Sequence, residues 1–243
     1  MGRFLLLALA GCYNPTVGAG APCTTSNECP GDLQCVGRVC GGTVDAFVPP
    51  MPDGSADAAL DGATVQQVVL GDNIAELRDA EIWNDFPTTN YGSGDHFSVD
   101  LNESGLLWFD LTAIGTNKTV LSAKLVITVA DAADEGGGTV LIHRLREAWI
   151  ESEATWSVRA TNQAWSVNGA RPPSSDAAPV AMFSPAAVTT AYDVTLPTSL
   201  VQAWVADPAT NYGLVFVRGT SLEHVHIRTR ETATPAKLIV DVY

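Results

Sequence analysis

At 243 residues the chain is long enough for one large domain and a small appendage, and its net charge of −14 argues against nucleic acid or a polybasic membrane contact. A hydrophobic content of 46% is ample for a core, yet no apolar run approaches the roughly 20 residues that a transmembrane helix requires. These bounds suit an exported protein that works as a monomer.

The chain begins as an export signal. Arg3 is followed by Phe4-Leu5-Leu6-Leu7-Ala8-Leu9, and the run ends in Leu9-Ala10-Gly11-Cys12, which matches a bacterial lipobox. The expectation is a lipoprotein signal peptide over 1–11, acylation of Cys12, and a tether over 12–22 that holds the protein at the outer membrane or cell surface by lipid alone. The signal is short against the usual length of about 15–30 residues, so either the true start lies upstream or the signal is minimal. Cys23, Cys29, Cys35 and Cys40 follow, spaced C-x5-C-x5-C-x4-C. With Cys12 set aside their number is even, which in an exported chain reads as two disulfides over 23–40. Three pairings remain open; Cys23–Cys35 with Cys29–Cys40 is the one adopted here. A zinc site is the rival reading, but the close C-x2-C pairs it usually uses are absent. Such a segment is too short to bury a core, and each bridge adds about 2–4 kcal/mol by constraining the unfolded loop. A protease-resistant spacer is preferred to a binding knob. Residues 41–65, rich in Gly, Pro, Ala and Asp with no sustained period, read as a flexible, disordered linker.

From Val65 onward the period is two. Strands are predicted near 65–70, 77–83, 95–102, 106–112, 120–130, 138–146, 179–184, 190–195, 212–218, 224–230 and 236–242. In 106–112, Leu107, Phe109 and Leu111 point one way and Trp108, Asp110 and Thr112 the other. In 120–130 the odd positions from Leu121 to Val129 make the apolar face. One helix is predicted at 197–206, capped by Thr195, with Pro197 in its first turn and Leu200, Val201, Trp204 and Val205 on one side. Asp207-Pro208 stops it. Residues 147–178, with Trp149, Trp156 and Trp165, form a long excursion expected to pack as a loop. Two Thr-Asn-Tyr-Gly tetrads, 89–92 and 210–213, suggest matching turns.

Asp79-x-x-Ile82, the first tetrad, Leu107-x-Phe109-Asp110-Leu111, Trp149-x-Glu151, Thr155-Trp156, Asp193-Val194-Thr195, Val201-Gln202-Ala203-Trp204, Asn211-Tyr212-Gly213 and Arg230-Glu231 before Leu238-Ile239-Val240 form an ordered set. Over about 66–243 this set resembles the DNRLRE-type domain of bacterial secreted and surface proteins, which is similar to carbohydrate-binding module family 96 and to the disaggregatase-related repeats. The resemblance implies an all-β, jelly-roll-like antiparallel sandwich and a glycan-binding accessory role. It also implies, by analogy with jelly-roll glycan modules, a structural Ca²⁺, for which Asp79, Asp95 and Asp241 with turn carbonyls are the available oxygens. No other cofactor is expected.

Enzyme signals are weak. There is no G-x-S-x-G elbow, H-E-x-x-H, P-loop or dinucleotide fingerprint, and lipid and disulfides account for every Cys. Glu147, Glu151 and Glu153 cluster with Trp149, and paired carboxylates can cleave glycosides, but acids in a loop are ordinarily solvated. His224 and His226 share a strand face but make an incomplete metal set. The candidate ligand face is the row His224, His226, Arg228 and Arg230, opposite Val225 and Ile227, with Trp108 as an outward ring. Arg forks match carboxylates, which suits an acidic polysaccharide or envelope glycan. Three readings follow: a non-catalytic carbohydrate-binding lipoprotein; a structural or adhesion protein of the envelope that contacts other proteins and binds no sugar; and, trailing, a hydrolase.

Overall fold

The computed structural model describes residues 23–29, 33–36, 38–40, 64–132, 138–185 and 190–243. The leader, the Cys12 site, the tether and the linker through residue 63 lie outside the described residues. The chain divides after Asp61 into two units, taken separately here.

In the first unit a 3-10 turn, Ser26–Glu28, precedes a short antiparallel hairpin of β1 (Cys35–Val36) and β2 (Val39–Cys40). The disulfides are Cys23–Cys35 and Cys29–Cys40, the pairing adopted above. They consume all four sulfurs, which leaves no thiolate for zinc. Cys23 and Cys40 are buried, so the bridges themselves serve as the interior of this segment.

The second unit is an antiparallel β-sandwich with one helix. Its strands are β3 (Gln66–Leu70), β4 (Leu77–Trp83), β5 (His96–Val99), β6 (Glu103–Phe109), β7 (Val120–Ala132), β8 (Val140–Arg144), β9 (Val158–Ala160), β10 (Gln163–Ala164), β11 (Ala181–Phe183), β12 (Thr190–Thr195), β13 (Leu214–Arg218), β14 (Val225–Arg228) and β15 (Lys237–Val242); helix α1 is Thr198–Ala206. One sheet runs β11-β8-β13-β6-β4, and the other β3-β15-β7-β14-β5 with β12 also paired to β7. Strands β14 and β15 lie end to end along one edge of β7. The first pairs with residues 129–132 and the second with 120–126, and the chain between them, 229–236, leaves the sheet.

The principal core fills the space between the sheets. In β7, Ala123, Leu125, Ile127 and Val129 point into it, facing Leu107, Phe109, Leu214 and Phe216 of the other sheet. A second cluster lies on the far side of the five-stranded sheet: Ala80, Ile82, Leu106, Val215 and Val217 are buried beneath Trp149, Ala154, Trp165 and Ala170 of the 145–178 excursion. Trp165 Nε1 donates to Thr155 O at 2.9 Å and Trp149 Nε1 to Tyr212 O at 3.0 Å. The excursion is therefore a packed lid, and its small β9–β10 hairpin carries no signal in the sequence strong enough to predict. Most of β6 and β13 is buried on both faces, which is why Trp108, although opposite Leu107 and Phe109 as alternation requires, is half-buried rather than fully exposed.

The tetrads make the same Asn-to-Gly hydrogen bond, although of their two glycines only Gly213 takes a positive φ. Gly92 N donates to Asn90 Oδ1 at 3.2 Å and Gly213 N to Asn211 Oδ1 at 3.1 Å. Each Asn amide holds a neighbouring main chain: Asn90 Nδ2 donates to Glu151 O and Ala154 O, and Asn211 Nδ2 to Phe109 O. A Cβ at Gly92 would lie 2.3 Å from Glu151 O, and one at Gly213 (φ +85°) 2.3 Å from Leu107 O, so only glycine lets these turns seat. Two boundaries differ from expectation. Strand β6 ends at Phe109, because Asp110 Oδ1 accepts from Thr112 N and opens a 3-10 turn, Thr112–Ile114. Helix α1 starts at Thr198 with Pro197 as the preceding residue and no side-chain cap; Thr195 still pairs with Lys124 in the sheet.

Candidate functional site

The two sheets meet along a polar seam between their edge strands, β4 and β5. Leu77, Asp79 and Glu81 alternate toward β5, and the two acids accept one backbone N–H from β5 and one from the segment that follows β14. Glu81 Oε2 accepts from Ser98 N at 2.7 Å, and Asp79 Oδ2 from Arg230 N at 2.9 Å. Arg230 is the centre of this clasp: it donates to Leu77 O at 3.0 Å and pairs with Glu151 at 2.9 Å and Glu231 at 3.2 Å, while Glu151 also accepts from Asp79 N. Burial pushes the Asp79 carboxyl up to about 7, over the opposing hydrogen bond from Arg230 N, and Glu151 is likewise raised by burial first.

Beyond the clasp the seam opens into a cleft of about 350 Å³ lined by Glu81, Trp83, Tyr91, His96, Glu103 and His226. Trp83 stands opposite Glu103 in the β4–β6 register, and the turn residue Tyr91 bridges to Glu81. The Trp83 ring lies 5.9 Å from Tyr91 and 4.6 Å from Phe86, and Phe86 is 50% exposed. On the other wall the His96 and His226 rings are 4.3 Å apart and His224 is 5.0 Å from His226. His96 Nδ1 lies 2.8 Å from Asp95 Oδ1. Burial, then the charges of Glu81 and Asp100, push Glu103 up to about 7 against a hydrogen bond from Ser98. Rings beside hydrogen-bonding groups of both kinds are what a sugar needs: its C–H face stacks and its hydroxyls find partners.

The structure divides the residues singled out in the sequence. His226 and Arg228 do face outward on the six-stranded sheet, across from Ser98 and His96, with His224 beside them. Arg230 leaves the row, because the strand ends at Arg228 and the following excursion carries its guanidinium into the clasp. Trp108 sits on the other sheet, under the Arg78 guanidinium at 4.1 Å, with its Nε1 donating to Asn211 O at 2.9 Å. It therefore shares no face with the row. The three aspartates proposed for Ca²⁺ do not assemble, and so do not together hold that ion. Asp79 is in the clasp, Asp95 is on His96, and Asp241 accepts from Gln67 Nε2 at 3.0 Å and Ser122 Oγ at 2.6 Å. Among the described residues no group of three acids or imidazoles comes within metal-sharing distance. Glu147, Glu151 and Glu153 are separately committed, to Arg159 and Ser166 N, to Arg230 and Asp79 N, and to Thr161 N. They make no acid–base pair.

Sequence reasoning missed Trp83, Tyr91, Glu81 and Glu103 as a site. The one available signal was the ring-bearing turn directly after the Ile82-Trp83 strand end; nothing in the sequence sets Glu103 beside Glu81 until the β4–β6 register is known. The sequence model of carbohydrate-binding module family 96 matches residues 73–241. The chain has no match among curated proteins.

Proposed function

The chain belongs to carbohydrate-binding module family 96, and from that premise we propose that it binds a polysaccharide, without cleaving it, in the seam cleft between β4 and β5. The observation that carries this is the juxtaposition of Trp83 and Tyr91 with Glu81, Glu103, His96 and His226 around one opening. The non-catalytic reading is supported by the state of the two carboxyls. Glu81 is 7% exposed and already accepts from Ser98 N, so it offers no free second carboxylate to an acid at Glu103.

The preferred ligand is an acidic polysaccharide. Arg228 and the His96–His226–His224 stack supply cationic or protonatable groups along one lip, in a chain whose net charge is −14. Glu103 works against this once ionised, so polyuronate binding should weaken as pH rises through about 7 and with added salt. The rival reading, a protein contact in the envelope, draws on Val69 and Leu121, 36% and 40% exposed on the six-stranded sheet.

The test is calorimetric titration of the full chain with neutral and uronic-acid oligosaccharides. Trp83→Ala should weaken binding about tenfold or more, the scale of a lost stacking platform in a desolvated site. A Trp83→Ala chain that binds as wild type removes the cleft from the reading, and silence across a glycan array favours the protein contact.

Lipid anchoring through Cys12 at the outer membrane or cell surface belongs to the same proposal. It is supported by Leu9-Ala10-Gly11-Cys12 after an apolar run and by the two disulfides, which persist in oxidising compartments. Cys12→Ser should move the protein out of the membrane fraction; retention there would refute the anchor.

A further inference from the structure

We propose that Arg78 and Trp108 form a second sugar subsite, separate from the seam cleft, that holds a sugar unit by its carboxylate or sulfate group. The proposal rests on the carbohydrate-binding reading and adds to it a site and a charge requirement.

Arg78 and Trp108 are cross-strand neighbours on the outer face of the five-stranded sheet, at its β4 edge. The guanidinium carbon lies 4.1 Å from the indole centroid. With Ala148, Trp149, Ala209, Asn211 and Tyr212 they line a pocket of about 210 Å³, in which the two short alanine side chains leave the space. Its walls are fixed from behind. Trp108 Nε1 is tied to Asn211 O and Trp149 Nε1 to Tyr212 O, while Asn211 is held by Phe109 O and Gly213 N. The rings are thus ordered before a ligand arrives, and little entropy is lost on binding.

The cation in this pocket is not among those the molecule pairs with its own carboxylates. Arg144 and Arg146 pair with Asp176, Arg159 with Glu147, and Arg230 with Glu151 and Glu231. Among the described residues the Arg78 guanidinium donates no hydrogen bond and meets no carboxylate at ion-pair distance. Glu151, whose carboxyl feels the charge of Arg78, is already committed to Arg230 and Asp79 N. A stacked guanidinium keeps its N–H edge available, and that planar fork matches a carboxylate or sulfate in bidentate fashion. Charge and flat apolar surface together select an anionic sugar over a free anion.

The experiment follows the indole N–H signals of the ¹⁵N-labelled full chain during titration with a galacturonic acid trimer, a sulfated disaccharide and a neutral trisaccharide. The uronide, the sulfated sugar or both should shift the Trp108 and Trp149 signals saturably, and the neutral sugar should not. Arg78→Gln should weaken that binding about tenfold or more, as loss of a charged hydrogen-bonding group predicts. Arg78→Lys should remain weaker than wild type, because a point charge lacks the fork. Trp83→Ala should leave these shifts unchanged; if they persist in Arg78-dependent form while Trp83→Ala affects no sugar, this subsite stands and the seam cleft falls. Silence of Trp108 and Trp149 toward both anionic probes, or Arg78→Gln binding within twofold of wild type, overturns the proposal and leaves the seam reading intact.

Discussion

The two outward faces of the sandwich are made of the same alternating strands and end in opposite states. On the five-stranded sheet, Ala80, Ile82, Leu106, Val215 and Val217 are sealed under a lid that brings Trp149 and Trp165. On the six-stranded sheet, Lys124, Val126 and Thr128 of β7 alternate outward and stay half-exposed, beside Asp193, Asp241 and the histidine stack. Alternation shows that a strand has two faces; it does not show whether a distant segment covers the second one. A strand with an apolar second face, such as Leu106-x-Trp108 behind Leu107-x-Phe109, is asking for a cover, and here residues 145–178 provide it.

The largest effect should come from breaking the lid. Trp165→Ala removes a buried ring and should cost about 3–5 kcal/mol in urea unfolding of the full chain, whereas Lys124→Ala on the open face should stay within about 0.5 kcal/mol. Similar losses at the two sites would dissolve the contrast between the faces. Next is Arg230→Gln, which leaves Asp79, Glu151 and Glu231 without their common cation. The loss should be about 2 kcal/mol, between the values for an exposed and a broken buried pair because Arg230 is partly exposed. A smaller, graded effect concerns pH. Asp79 is raised from 3.8 to about 7 in the folded protein, so the native state holds its proton more tightly than the unfolded chain between those values. Its contribution is fully present below about pH 4 and is lost as pH rises through 7. The urea midpoint should fall across that window, and less steeply in Asp79→Asn; an unchanged slope would show that the carboxyl does not titrate there. The smallest effect on stability belongs to Arg228→Ala, expected within about 0.5 kcal/mol and visible only as weaker polyuronate binding.

The strands were legible because β4, β7, β12 and β15 each carry a period of two bounded by turn residues, and the predicted spans fall on or beside the observed ones. The lid as a packed loop was also legible from its three tryptophans, but not which sheet it covers, since that choice is made by contacts 60 residues and more apart, such as Trp149 to Tyr212. The ligand row was half legible. Val225 and Ile227 do turn inward and His226 and Arg228 outward, but periodicity does not announce where a strand stops. Arg230 falls two residues beyond that stop, so its side chain answers to Leu77 O, Glu151 and Glu231 instead of to the sheet. The seam cleft was not legible, because Trp83, Tyr91 and Glu103 become neighbours only through the β4–β6 register and the bridge from Glu81 to Tyr91.

The hydrogen bond from Ser98 N to Glu81 has one more consequence. Strand β5 ends its sheet, and an unpaired row of N–H and C=O groups at such an end is a template on which another molecule's strand can grow. The Glu81 side chain occupies the position where an incoming carbonyl would have to dock, and it brings the neighbouring wall of β4 with it. Association edge to edge would have to displace a 2.7 Å bond to a backbone amide before gaining its first new one. The same acid that shapes one wall of the cleft thereby blunts the β5 edge of its sheet.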